Sequence, residues 1–377
     1  MKIFPRTLVV RLSCAIVLAT LFFGGLPIAG AEAPPTGAAL PDNPFPASPT
    51  FTLLSGLTTN VILPSLSGFS SNLTLLARAV DKFVEAQDTN ALRAARESWK
   101  AANSAWRLTE SFQLSLDGEL SLASRVSSWP IRPASVQALL NGSKPINDAL
   151  LTDEVGVSVL GLGTVEWLLF APLGEDARVV AMFQGVGGAR RRAYLSALTR
   201  DLLRTMTAIQ AAYTSGDNDF RARFAVGGQD SLNTLVNRII EALEVGVVQR
   251  LQRIADLQAA NRLSPEVFEG GISSTSQRDA LQVLRGAQLL FQGGQGPGLG
   301  DFLRLRSAPI ADQVMDSFSQ TTAAVDGIGT DIASALKSKP AAVNHAISMA
   351  RSLEVLLKVD VISALGLNLT FSGNDSD

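Results

Sequence analysis

The sequence predicts an all-α protein, and three observations carry that prediction. Apolar side chains recur at alternating steps of four and three along most of residues 63–357. These segments end at turns rich in Gly, Pro or Asp, and no convincing run of alternating apolar and polar residues marks a strand. With 377 residues, 46% of them hydrophobic and 18% charged, the chain also has ample material for a folded core.

At the start, Lys2, Arg6 and Arg11 precede the apolar stretch from Leu12 to Leu26, and Ala29-Gly30-Ala31 supplies a small-x-small cleavage pattern. Residues 1–31 therefore read as a secretory signal peptide. Its removal takes away three basic residues and no acid, moving the formal charge from -2 to -5, and takes Cys14, the only cysteine, with it. An exported chain without disulfides suits a bacterial periplasm or cell envelope. Residues 32–62, rich in Pro, Ala and Ser, read as a linker without a fold of its own.

Beyond the linker, Phe69, Leu73, Leu76, Val80 and Phe83 define an amphipathic helix. After Asp88-Thr89, a capping pair, Leu92, Ala95, Trp99, Ala102, Trp106 and Thr109 define a longer one. The stretches 189–213 and 231–261 are helical by the same criteria, and the turn signals at 215–219 and Gly227-Gly228 lie between them. A boundary there gives an N-terminal helical bundle over 63–218 and a C-terminal one over 219–377, two antiparallel halves. Further helices are expected after Ser264-Pro265, through Ala280, Leu284, Ala287 and Phe291, after Ser307-Ala308-Pro309, and over 341–357, with a Gly-rich break at 293–300.

Composition excludes several functions. Lys and Arg total 32 against 34 Asp and Glu, so no basic excess marks a nucleic-acid partner. One Cys and one His remove most zinc-ligand sets, and His345 sits at no ligand spacing, which makes it a surface or packing residue. The most apolar stretch, 155–174, carries Glu166, Pro172 and four glycines, and so reads as a buried helix rather than a transmembrane one.

A carboxylate in that setting needs a partner: an arginine, a backbone cap, a metal or a ligand. Arg285 is one candidate for neutralising Glu166. Glu110 shares a helix face with Trp106, while Trp99 and Trp106 read as core and Trp129, before Pro130, as a loop anchor. Ser274, Ser276, Arg278 and Asp279 lead into a helix, where the serines suit a capping role.

The segment 94–112 with Trp99, Trp106, Glu110 and Phe112, then Trp129-Pro130, then Gly161 to Phe170 with Glu166 inside it, resembles the imelysin family of bacterial envelope proteins. So do the stretches 191–202, 273–293 and 364–371, followed by Asp375 and Asp377. The resemblance implies a helical fold of two bundle-like halves, export, and a connection with iron uptake, with iron or an uptake-system component as partner. It brings Glu110 near Glu166 as oxygen ligands for a metal, iron foremost, and sets Gly161, Gly163, Trp129, Ser274 and Arg285 at a cleft between the halves. The family's peptidase label rests on a Gly-x-His-x-x-Glu pattern, which falls here on Gly161, Gly163 and Glu166, so glycine stands where the imidazole would be. The expectation is an exported imelysin-like binding protein; an envelope metallopeptidase and a non-catalytic scaffold are the alternatives.

Overall fold

Leu66, Phe69, Leu73, Leu76, Val80 and Phe83 are buried along one face of the helix Leu63–Ala86, and Leu92, Ala95, Trp99, Ala102 and Trp106 along the next, Thr89–Thr109. Between them the chain reverses at Gln87, in the left-handed region, and Asp88 caps the second helix by accepting the Ala91 amide at 2.8 Å. So short a connection lays the helices antiparallel, and Phe69 meets Trp106 across their seam with ring centroids 5.0 Å apart.

This computed structural model describes residues 48–114, 120–185, 187–214, 219–329 and 331–370. Among the described residues every regular element is helical, which makes the fold all-α. The helix Gly188–Thr214 packs on Leu63–Ala86, and Ser276–Gln292 on Thr89–Thr109. At that second crossing a side chain on Gly286 would place its Cβ 2.0 Å from the Leu108 carbonyl oxygen, so only glycine permits the approach. Helices from either side of residue 219 are thus in direct contact, and their apolar faces form one continuous core. No described helix is long and apolar enough to cross a membrane. The expected signal peptide, residues 32–47, the turn at 215–218 and the terminal Asp375 and Asp377 lie outside the described residues.

Three expectations are corrected. Residues 49–62, expected as linker, form the helix Pro49–Leu57 and a π-helical turn, Thr58–Ile62, with Leu53, Leu54, Leu57, Val61 and Ile62 buried. Pro49 opens that helix and Ser48 caps it, while the interleaved Ser and Thr hide its apolar spacing. No helix follows Ser264-Pro265; the chain turns until Ser276, with Gly270 and Ser274 at positive φ. The apolar stretch at 155–174 is α-helical only over Gly161–Phe170, preceded by a 3-10 turn at Val157–Val159, because Gly161 enters at φ 71° and Pro172 follows its end.

Candidate functional site

Glu166 lies on the short helix Gly161–Phe170 and is only 4% exposed. One carboxylate oxygen, Oε1, accepts two hydrogen bonds from Ser273, from its backbone amide at 3.1 Å and its hydroxyl at 2.6 Å. Thr275 Oγ1 lies 3.0 Å from Ser273 Oγ and 3.3 Å from Asp279 Oδ2. Since the Ser273 proton is given to Glu166, the Thr275 proton serves one of those two neighbours. Asp279, 1% exposed at the start of helix Ser276–Gln292, accepts the Asn103 side-chain amide at 2.8 Å on its other oxygen.

Two arginines complete the centre. Arg107 donates to Glu110 at 2.5 Å and to Glu269 Oε1, and its Nε lies 3.8 Å from Asp279 Oδ2. Arg250 reaches the other Glu269 oxygen at 2.9 Å and places a second nitrogen 3.8 Å from the same Asp279 oxygen. At that distance the contact with Asp279 is electrostatic, not a hydrogen bond, and both nitrogens are buried without an acceptor.

Three carboxylates, Glu110, Glu269 and Asp279, thus surround two guanidiniums, with Glu166 on the same cavity, and burial decides where protons stay. Desolvation pushes Glu166 up to about 7, against the two Ser273 hydrogen bonds that hold it down, with Asp279 adding a smaller upward push. Desolvation likewise raises Asp279 to about 6, outweighing the pull of Arg107 and Arg250. Glu269 is desolvated too, yet the same two arginines overcome that cost and bring it down to about 2. Arg107 is held charged by Glu269, Glu110 and Asp279 despite its burial. Glu269 therefore stays ionised against the two arginines at neutral pH, while Glu166 is about half protonated near pH 7 and Asp279 takes up its proton near pH 6.

The sequence-derived candidates divide. Gly163 and Trp129 border the cavity beside Glu166, together with Trp99, Asn103 and Asp279. Trp99 is core, as its spacing indicates, and its indole N–H donates to the Leu162 carbonyl at 2.9 Å. Gly161 shapes the helix entry: a Cβ there would sit 2.4 Å from the Val126 carbonyl oxygen. Glu110 joins the centre through Arg107 and does not border the cavity with Glu166, so the expected pairing of the two acids is replaced by an acid-arginine chain. Arg285 is exposed on its helix and is not the partner of Glu166. Ser274 is exposed as well; its neighbour Ser273 makes the contact.

Arg107, Arg250, Glu269 and Ser273 are absent from the sequence-derived set. A signal for one of them exists: Trp99, Asn103 and Arg107 are spaced four apart, so a polar pair runs along the edge of an apolar stripe. Glu269 and Ser273 lie in a loop without periodicity and give none.

The residues present do not fit a resident metal. Among the described residues no group of three His, Cys, Asp or Glu is placed to hold a metal ion. Glu269 and Glu110 are engaged by arginine, and a cation at Glu166 and Asp279 would displace protons while facing two guanidiniums. Beside Gly163, where an imidazole would have to extend, a Cβ would already lie 2.9 Å from Ile131 Cγ2. The cavity itself offers about 10 Å³ to the centre of a water molecule, room for about one.

An all-helical chain with an acid-arginine centre closed by two distant segments is the class of protein these features define. The chain belongs to the imelysin family, whose model matches residues 62–357. It is similar to iron-regulated protein A of Synechococcus elongatus, with 22% identity over 299 residues, covering 76% of this chain and 78% of that protein. Its fold matches the crystal structure of a proposed iron-regulated protein A precursor from Parabacteroides distasonis, with a TM-score of 0.71 and 15% identity, covering 88% of this chain and 97% of that one. It also matches an imelysin-like protein from Psychrobacter arcticum, with a TM-score of 0.64 and 16% identity over 87% and 98% of the two chains.

Proposed function

We propose that this chain is an exported, non-hydrolytic imelysin-family protein that serves bacterial iron acquisition as a binding or partner protein. The basic leader and small-x-small pattern of residues 1–31 support export to the periplasm or envelope. The similarity to a protein named for iron regulation supports the link to iron. The observation that carries the non-hydrolytic reading is Gly163 against Ile131: the position that the family's peptidase pattern gives to histidine has no side chain, and neighbouring packing has closed on it. Glu166 and Asp279, with no imidazole beside them and with two guanidiniums facing Asp279, do not make the ligand set that a zinc hydrolase needs. In this reading the halves divided near residue 219 meet at the Glu166 centre, which acts as an internal lock.

The test uses the purified mature protein and a strain lacking its gene. The expected results are no chelator-sensitive cleavage of unfolded protein substrates, less than stoichiometric zinc or iron after purification, and slower growth of the deletion strain under iron limitation, restored by the wild-type gene. Chelator-sensitive cleavage abolished by Glu166→Gln would overturn the non-hydrolytic reading, and unaltered growth under iron limitation would overturn the link to iron.

A further inference from the structure

The helices Arg250–Ala259 and Pro340–Leu356 leave a groove between them that shares no lining residue with the Glu166 cavity. It consists of two depressions of about 550 and 480 Å³, each within the ordinary range for small-molecule sites. They meet at Gln252 and Arg351, and the Arg351 guanidinium donates to the Gln252 side-chain oxygen Oε1 at 3.0 Å, which holds the cation at the centre of the groove.

The charge of this surface runs against that of the chain. Arg253, Arg262 and Arg351 line it, and the one acid among its lining residues is Asp256, which accepts a hydrogen bond from Gln252 at 2.7 Å. Arg253 and Arg262 form no ion pair among the described residues, and the lining is net positive on a chain whose formal charge is -2. Buried Ile347 and Val248 supply an apolar floor, and the Ser348 and Ser352 hydroxyls and the Asn344 amide stand at the rim as further donors. Guanidiniums spaced along a groove with hydroxyl and amide donors recognise oxyanions, and an apolar floor accepts the carbon scaffold that carries them.

We propose that this groove binds a small organic polyanion, a compound with two or more carboxylate or phosphate groups on a compact scaffold, with Arg351 central and Arg253 and Arg262 toward one end. Such a ligand meets the donors already present and displaces no internal ion pair. The site stands apart from the Glu166 centre, so its failure leaves the reading above intact.

Calorimetric titration of the whole mature protein with citrate, ferric citrate, pyrophosphate and, as the uncharged control, triethyl citrate tests it. At least one of the charged probes is expected to bind with a Kd below about 1 mM, and the ester is expected not to bind. Arg351→Gln and Arg253→Gln are each expected to weaken that binding about tenfold, and Arg285→Gln, which changes an exposed arginine elsewhere, to leave it unchanged. Citrate against pyrophosphate separates carboxylate from phosphate preference, and ferric citrate shows whether metal loading matters. Circular dichroism of each variant shows that it is folded. No binding by any charged probe, or equal affinity in folded Arg351→Gln and Arg253→Gln, would overturn the proposal.

Discussion

Glu166 and Ser273, 107 residues apart in the chain, are joined by two hydrogen bonds to a single carboxylate oxygen. The Ser273 side chain can be removed while its backbone amide stays. Ser273→Ala should therefore cost about 1–3 kcal/mol of stability, the range for leaving a buried acceptor short of a partner. It should also raise the Glu166 pKa further, because the lost hydroxyl bond favoured the ionised form. Chemical denaturation and a carboxyl-resolved infrared titration measure the two effects, and an unchanged titration would mean that the hydroxyl bond does not form in solution.

The pH dependence of stability follows from the same centre. Glu166 and Asp279 titrate near 7 and 6 in the fold, above their ordinary values of 4.5 and 3.8. The folded state therefore binds more protons than the unfolded state between these limits. Their contribution is fully present below about pH 4 and is lost as pH rises through 6 and 7. Glu269, lowered to about 2, acts oppositely: its contribution is present above about 4.5 and fades as pH falls toward 2. Glu166→Gln, which mimics the protonated acid, should flatten the decline of unfolding free energy between pH 5 and 8 and exceed the wild type by a few kcal/mol at the upper end. Parallel slopes for the two proteins would show that Glu166 is not the group that titrates.

Arg107 ties Glu110 and Glu269 to Asp279. Arg107→Met keeps much of the side-chain volume but leaves Glu110 without its arginine and Glu269 and Asp279 with Arg250 alone, and it should cost about 3–5 kcal/mol. Part of that loss should return in the double variant Arg107→Met with Glu269→Gln, measured by equilibrium unfolding. A loss that the second change does not reduce would show that the ion pair is not its source.

Gly163→His should destabilise the protein by about 1–3 kcal/mol through crowding against Ile131. With Ile131→Ala added, stability should recover in part, and zinc should then raise the melting temperature of the double variant but not of the wild type. A single Gly163→His variant as stable as the wild type would show that the space is not closed.

Gly286→Ala places a Cβ 2.0 Å from the Leu108 carbonyl oxygen, a contact with backbone that no side-chain rotation relieves. It should cost about 3 kcal/mol or more by forcing two packed helices apart. Gly68→Ala, where nothing lies within 4 Å, should be neutral or slightly stabilising on its own helix, and thermal unfolding compares the two.

The helical stripes were legible because each records its own burial in a local period. Leu73, Val80, Trp99 and Trp106 are core for the reason their spacing states. The helix Pro49–Leu57 was less legible, since Ser and Thr between its leucines resemble a linker in composition. The carboxylate of Glu166 stood out because an ionisable group in an apolar run has to be neutralised. Which group neutralises it is not a local property, and Arg285, plausible by proximity to the matching segment, faces solvent.

By itself the sequence determined the all-α class, the imelysin family, the buried Glu166 and the missing imidazole at Gly163, because periodicity, order of motifs and residue identity are written along the chain. Only the tertiary structure decided that Ser273 holds Glu166, that Arg107 and Arg250 share Glu269, and that Ile131 fills the space beside Gly163. Those contacts join segments more than a hundred residues apart or depend on a side chain's exact reach, and electrostatic pairing in a desolvated interior is set by distances that no spacing along a chain encodes.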